Sequence, residues 1–240
     1  MNTRRFVGPL MRLAVLFAVF SVPALAQGDR PAEEEPLLAL IFRAGGAIGY
    51  IIIALSVVGL ALIVEHFMSI SRDKLAPPEA IDTITSHLDN NDVQGAYEYC
   101  EQNPNYLTNV LGAALPKAPH GFDSMEQAAL DVGEEEAVKL HAKISWLSLI
   151  GNIAPLLGLL GTVSGMLKSF GVIERTVNPN PADLAGGIKE ALVTTMLGLV
   201  VAVPVMVGFF FFRNRVVKTV LEISAITEDM LDRFRPTHTA

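Results

Sequence analysis

One cysteine in 240 residues, Cys100, leaves no intrachain disulfide to form and no thiolate cluster for zinc. A lone cysteine reads as a small buried hydrophobe. Basic residues are outnumbered, 18 Lys and Arg against 25 Asp and Glu, giving a net charge of −7. That balance argues against a nucleic-acid partner, whose binding surfaces are basic. The polar stretches carry no phosphate-binding glycine loop and no nucleophile–base pair. His87, His120 and His141 are scattered and show no metal-ligand spacing. Enzyme chemistry therefore has no residue set to start from, and no cofactor or metal is expected. Charge of either sign is scarce, at 18% of residues against 51% hydrophobic. The scarcity is uneven, because the apolar residues lie in long blocks rather than at the helical or strand spacing of a water-soluble domain.

Blocks of about 18 or more apolar residues read as membrane spans. Three are expected, at 48–64, 145–169 and 191–212. The last contains no charge and extends about 33 Å as a helix, enough to cross a bilayer core. Residues 1–26 read differently. Arg4, Arg5 and Arg12 precede a short apolar core at 13–22, and Ala24-Leu25-Ala26 has the small-x-small form of a cleavage site, so a signal peptide removed after Ala26 is expected. Residues 27–47 then form an outer segment: an acidic linker, then an amphipathic piece at 37–44 along the membrane surface. Residues 48–72 hold the first span and its inner flank, with His66 as an interfacial anchor. Residues 73–144 are polar and helical, with two short helices meeting at Asn90-Asn91, a third at 106–115, and a fourth at 124–143 opened by a Ser124–Gln127 capping box. Residues 145–240 carry the second and third spans, a loop at 171–187 marked by Asn178-Pro179 and Asn180-Pro181, and a helical tail. The fold class is all-α and polytopic, with long helices extending into water. A cleaved signal places the N-terminus outside and, after three spans, the tail inside. Arg72, Lys74, Lys139, Lys143, Arg213, Arg215 and Lys218 at the inner flanks agree with the positive-inside rule, and the last three are also suited to anionic lipid heads. Glu134–Glu136 reads as a solvated helix face and Phe209–Phe212 as lipid contact.

The second and third spans are interrupted by residues that a purely apolar span does not need. In NIAPLLGLLGTVSGMLKSF, 152–170, Gly161 and Gly165 form a small-xxx-small step, as do Gly158 and Thr162. In the third span Ala191, Thr195, Gly198 and Ala202 recur at i, i+4, i+7 and i+11. Lipid gives no hydrophobic force between helices, and small residues let backbones approach and pack. The plain reading of both stripes is therefore close helix packing. A sharper one uses the hydroxyls. Thr162, Thr194 and Thr195 fall in the outer halves of two antiparallel spans, at similar depth, where they would line a wet path. Pro155 and Pro204, nearer the inner ends, each remove a helical hydrogen bond and permit a kink. No carboxylate lies inside a span, Glu65 and Glu190 being at the edges. A proton path through a membrane calls for an ionisable group, which a partner would have to bring.

Two segments, APLLGLLGTVSGMLKSF (154–170) and GIKEALVTTMLGLVVAVP (187–204), resemble the MotA/TolQ/ExbB proton-channel family, and its ExbB branch most. The shared pattern is A-P-x-x-G-L-x-G-T-V in span two and E-A-L-x-x-T-x-x-G-L in span three. The likeness covers about residues 37–233. It implies a multi-pass protein of the bacterial inner membrane, with a periplasmic N-terminus and a cytoplasmic C-terminus. It further implies a homo-oligomer, a pentamer, around two copies of an ExbD-like single-span partner whose aspartate carries the proton, and a TonB-like transducer reaching the outer membrane. The pore threonines carry over to Thr162 and Thr195, and the acidic residue opening span three to Glu190. Two departures stand out: the cleavable signal, and Lys168 where relatives are often neutral. Lys168 is expected to snorkel to the interface rather than to attract a partner carboxylate. A TolQ-like envelope-integrity motor and a non-conducting membrane scaffold remain the alternatives.

Overall fold

The computed structural model describes residues 46–235, apart from 177 and 179 and the side chain of 183. The expected signal peptide and the amphipathic piece at 37–44 lie outside the described residues. Among those described there are only helices, turns and bends. Helix α1 is Gly46–Ser69, followed by α2 (Arg72–Leu75), α3 (Pro78–Asp89), α4 (Val93–Gln102), α5 (Tyr106–Ala114), a 3₁₀ turn (Leu115–His120), α6 (Phe122–Arg175), α7 (Pro181–Leu231) and a last 3₁₀ turn (Asp232–Phe234). Three of these helices, α1, α6 and α7, are long and apolar enough to cross a membrane, and the chain is a membrane-embedded, multi-pass, all-α protein.

The largest departure from the sequence reading is continuity. The helix expected at 124–143 and the second span are one helix, α6, of 54 residues; the third span and the tail form one helix, α7, reaching Leu231, as the expected long helices extending into water require. No glycine–proline break separates the wet and greasy parts, so the backbone bonds run on. The expected loop at 171–187 shrinks to 176–180. Its second Asn-Pro pair is a helix start: the Asn180 side chain accepts from Ala182 N at 3.1 Å, and Pro181 takes the first helical position, where its missing N–H costs nothing. The Ser124–Gln127 capping box also fails to form. Gly121, at φ +95 in the left-handed region that glycine tolerates, precedes Phe122, so the helix opens before Ser124. A capping box is made instead by Asn105 and Thr108 at the start of α5.

Outside the apolar stretches, α3 to α5 fold against the extensions of α6 and α7 around Ile84, Leu107, Leu111, Leu115 and Met125, all buried. Cys100 belongs to this core, and burial pushes its thiol up to about 11. Tyr106 donates its hydroxyl to the Gly133 carbonyl at 2.7 Å, tying α5 to α6. Tyr106→Phe keeps the ring and removes that bond, and should cost about 0.5–1.5 kcal/mol, measured as a lower denaturation midpoint of the full chain; an unchanged midpoint would show that the bond contributes nothing. The far end of α7 is fastened twice, by Arg233 to Asp89 of α3 and by the Arg235 guanidinium 4.8 Å above the Phe122 ring. Glu136, read as solvated, accepts from Asn109 at 3.2 Å and pairs with Lys139 at 2.9 Å.

Candidate functional site

Helices α6 and α7 run antiparallel and touch backbone to backbone. A Cβ added at Gly198 would stand 2.6 Å from the Ala154 carbonyl oxygen and 3.3 Å from Gly158 Cα. One at Gly158 would meet Thr194 O and Thr195 Cα at 3.0 Å, and one at Gly165 would meet Gly187 O at 2.5 Å and the Ala191 side chain at 2.9 Å. Gly161 faces the Thr194 side chain in the same way. Ala202, one turn beyond Gly198, is buried as well. Only the small side chains of Ala191 and Thr194 stand between the backbones along this seam, which is the close approach that small residues allow in lipid. Both helices pass through their prolines unbroken. Pro155 leaves the Gly151 carbonyl, and Pro204 the Val200 carbonyl, without the usual backbone donor.

The seam fixes where the hydroxyls lie. Thr195 Oγ1 donates across the gap to Gly158 O at 3.2 Å, with Ala191 O of its own helix at 3.4 Å. Thr194, 1% exposed, donates back to Ala191 O at 2.9 Å and sits against Gly161. Thr162 is level with Thr194, is half-buried, and bonds Leu159 O at 2.6 Å within its own helix. The three hydroxyls thus share one stretch of the hairpin, with Thr195 reaching across it and Thr162 and Thr194 bonded back along their own helices.

At the end of the hairpin nearest the 176–180 turn, Lys168 of α6 donates to Glu190 Oε1 of α7 at 2.5 Å. This differs from the snorkelling expected for Lys168. The two residues stand at the same level of an antiparallel pair, and the carboxylate offers a nearer partner than lipid headgroups. The register beside them is pinned by Ser169, whose hydroxyl donates to Leu184 O at 3.1 Å.

The opposite end is closed by His66, which is not an interfacial anchor. It is 1% exposed. Its Nε2 donates to Lys143 O of α6 at 3.1 Å, since a carbonyl can only accept, and its Nδ1 lies 2.9 Å from Glu65 Oε2. Its ring meets Phe212 of α7 edge-on at 5.5 Å. Phe212, read from sequence as lipid contact, is fully buried there and also packs on Phe67, while Phe210 and Phe211 stay about half exposed. Three helices converge on one imidazole. A single His beside an apolar block carried no sequence signal of this; its spacing to Lys143 is visible only in three dimensions. Among the described residues no group of three or more His, Cys, Asp or Glu converges to hold a metal ion.

Comparison with known proteins adds a lineage to this geometry. Residues 106–225 match the model of the MotA/TolQ/ExbB proton channel family. An ExbB homolog of Methanothermobacter thermautotrophicus is 31% identical over 179 residues, covering 73% of this chain and 63% of that protein. The biopolymer transport protein exbB1 of Vibrio cholerae is 41% identical over 100 residues, 40% of this chain and 44% of its own length. An ExbB-like protein of Synechocystis is 30% identical over 176 residues, 71% of this chain and 82% of its own length. The chain thus spans less than two thirds of the first two relatives.

Proposed function

Because this chain belongs to the MotA/TolQ/ExbB proton channel family, we propose that it is the ExbB-type subunit of a proton-driven motor in the bacterial inner membrane. Five copies surround two copies of an ExbD-like single-span partner. Proton flow through the assembly drives a TonB-like transducer that energises transport across the outer membrane. The N-terminus is periplasmic and the C-terminus cytoplasmic, which makes the Lys168–Glu190 end of the hairpin the outer one. Thr162, Thr194 and Thr195 line the path, with Glu190 at its outer mouth. The protein is a transport subunit rather than an enzyme.

One observation carries this reading. The glycine seam of α6 and α7 holds three hydroxyls, yet no acid lies within the apolar stretches 48–64, 145–169 and 191–212. Hydroxyls can pass a proton along, but a membrane path calls for an ionisable group, and the partner's aspartate supplies it. The energy is adequate without nucleotide, since each charge moved through 100 mV yields about 2.3 kcal/mol. Exposed apolar side chains along the spans, Leu60 and Val64 on α1, Leu156 and Leu159 on α6, Val203 and Val207 on α7, offer surface for neighbouring subunits as well as for lipid. The ExbB names of the relatives support this branch over a TolQ-like one. The deciding experiment is native mass spectrometry of the complex drawn gently from its own membrane. Five copies of this chain with two of a small single-span protein are expected. An assembly reconstituted in lipid with such a protein that neither binds it nor conducts protons would favour a structural scaffold.

A further inference from the structure

The Lys168–Glu190 pair joins two helices, but the geometry at that end involves three. Gly46, the first residue of α1, lies directly under the carboxylate: a Cβ built there would stand 2.5 Å from Glu190 Oε1 and 3.9 Å from Lys168 Nζ. Gly46 is also in the left-handed region, at φ +53, a backbone conformation that glycine adopts without strain, and a side chain there would have to displace the Glu190 carboxylate. The carboxylate therefore rests at the N-terminal end of α1, where the helix dipole favours negative charge. The ammonium holds it there from the other side. Among the described residues Lys168 is the ion-pair partner of Glu190. Within about two turns along these helices the other ionisable residues are Lys189 on α7, Glu174 and Arg175 in the last turn of α6, and Tyr50 on α1.

We infer that Lys168 is a positioning residue for Glu190, pinning its carboxylate across the start of α1 at the outer mouth of the proposed path. Two features make the pin specific. Ser169, adjacent to Lys168, is bonded to Leu184 O, so α6 and α7 cannot slide past one another at this level without breaking that bond. And Glu190 is the less exposed partner, 22% against 56% for Lys168, so the mobile lysine serves the seated carboxylate and not the reverse. A partly exposed pair is weak in free energy, and its effect is on placement. Without Lys168 the carboxylate keeps its chemistry but loses the counter-charge that fixes its rotamer.

The part of this inference that concerns proton flow rests on the motor reading; the pin itself does not. The test uses the full chain in lipid nanodiscs for stability, and vesicles containing the chain with its single-span partner for proton flux. Lys168→Met and Glu190→Gln should each lower Tm, and the double variant should fall no further than the larger single effect, because both remove one interaction. Lys168→Met should also lower partner-dependent flux about tenfold, short of the roughly hundredfold cost of a fully misplaced group, and Lys168→Arg should restore most of it. Additive Tm losses would overturn the pin. A non-additive cycle with unchanged or raised flux in Lys168→Met would overturn the positioning role. Absence of any partner-dependent flux in the unaltered complex would take down the motor reading instead, and the Tm cycle would still decide whether the pin exists.

Discussion

Gly198→Val is expected to force α6 and α7 apart. The first added carbon would stand 2.6 Å from the Ala154 carbonyl oxygen and 3.3 Å from Gly158 Cα. Those are main-chain atoms in the middle of a continuous helix, and no rotamer change relieves them. Overpacking of a tight site costs about 1–3 kcal/mol even when side chains can give way, and here they cannot, so a loss at or above the top of that range is expected. Against a total stability of about 5–15 kcal/mol this is a large fraction, and assembly of the proposed ring should fall with it. Circular dichroism melting in nanodiscs, with native mass spectrometry for assembly, measures both. Gly171 supplies the control, because a Cβ there meets nothing within 4 Å; Gly171→Ala should melt no lower than the unaltered chain, since alanine is the better helix former. Equal losses at the two glycines would show that the seam has no special role.

Thr195→Val should separate conduction from folding. The change is close to isosteric and removes one hydroxyl, the one that crosses to Gly158 O at 3.2 Å. The Gly158 carbonyl keeps its place in the α6 ladder, so the stability loss stays near that of one hydrogen bond, about 1 kcal/mol. A path that relies on the hydroxyl loses a comparable stabilisation of the moving proton, which corresponds to about a fivefold fall in flux. Thr195→Ser keeps the hydroxyl and should retain flux. Vesicles containing the chain and the proposed single-span partner, with an imposed pH gradient, give the measurement. A Thr195→Val complex that assembles and conducts at the original rate would remove Thr195 from the path.

The sequence made the spans legible because a bilayer imposes a crude requirement, a long apolar block, that composition alone reveals. The small-residue positions were legible for a related reason: Gly158, Gly161, Gly165 and Gly198 are costly in a helix, and in lipid close packing is the compensation. Several features were hidden by distance in sequence. Lys168 and Glu190 lie 22 positions apart, and His66 bonds a carbonyl 77 positions away. For Lys168 a usable signal existed, since the two residues stand at similar distances from the 176–180 turn and an antiparallel hairpin sets them side by side. The same spacing that sets Thr162 and Thr195 at comparable depth also sets these two charges level. For His66 no such signal existed; an isolated histidine next to an apolar block fits a surface anchor equally well until the third helix is placed. The helix ends were misread where local cues competed. Ser124 and Gln127 have the spacing of a capping box, but Gly121 offers an earlier start, and Asn180-Pro181 reads as a turn although it is also a good first turn of helix.

The unbroken run of α6 and α7 from apolar to polar surroundings has a mechanical consequence. At about 1.5 Å per residue, the 54 residues of α6 make a strut about 80 Å long. Its partner strut is nearly as long and is bolted to it by the glycine seam in the bilayer and by the Arg235–Phe122 contact at the distal end. Both helices continue through Pro155 and Pro204 between these fixings, so over a straight run of that length a lean of about 5° at one end corresponds to a displacement of about 7 Å at the other. In the proposed motor, leverage of this kind would carry a small rearrangement near Glu190 to the distal end of the two helices, and a load on that end back to Glu190.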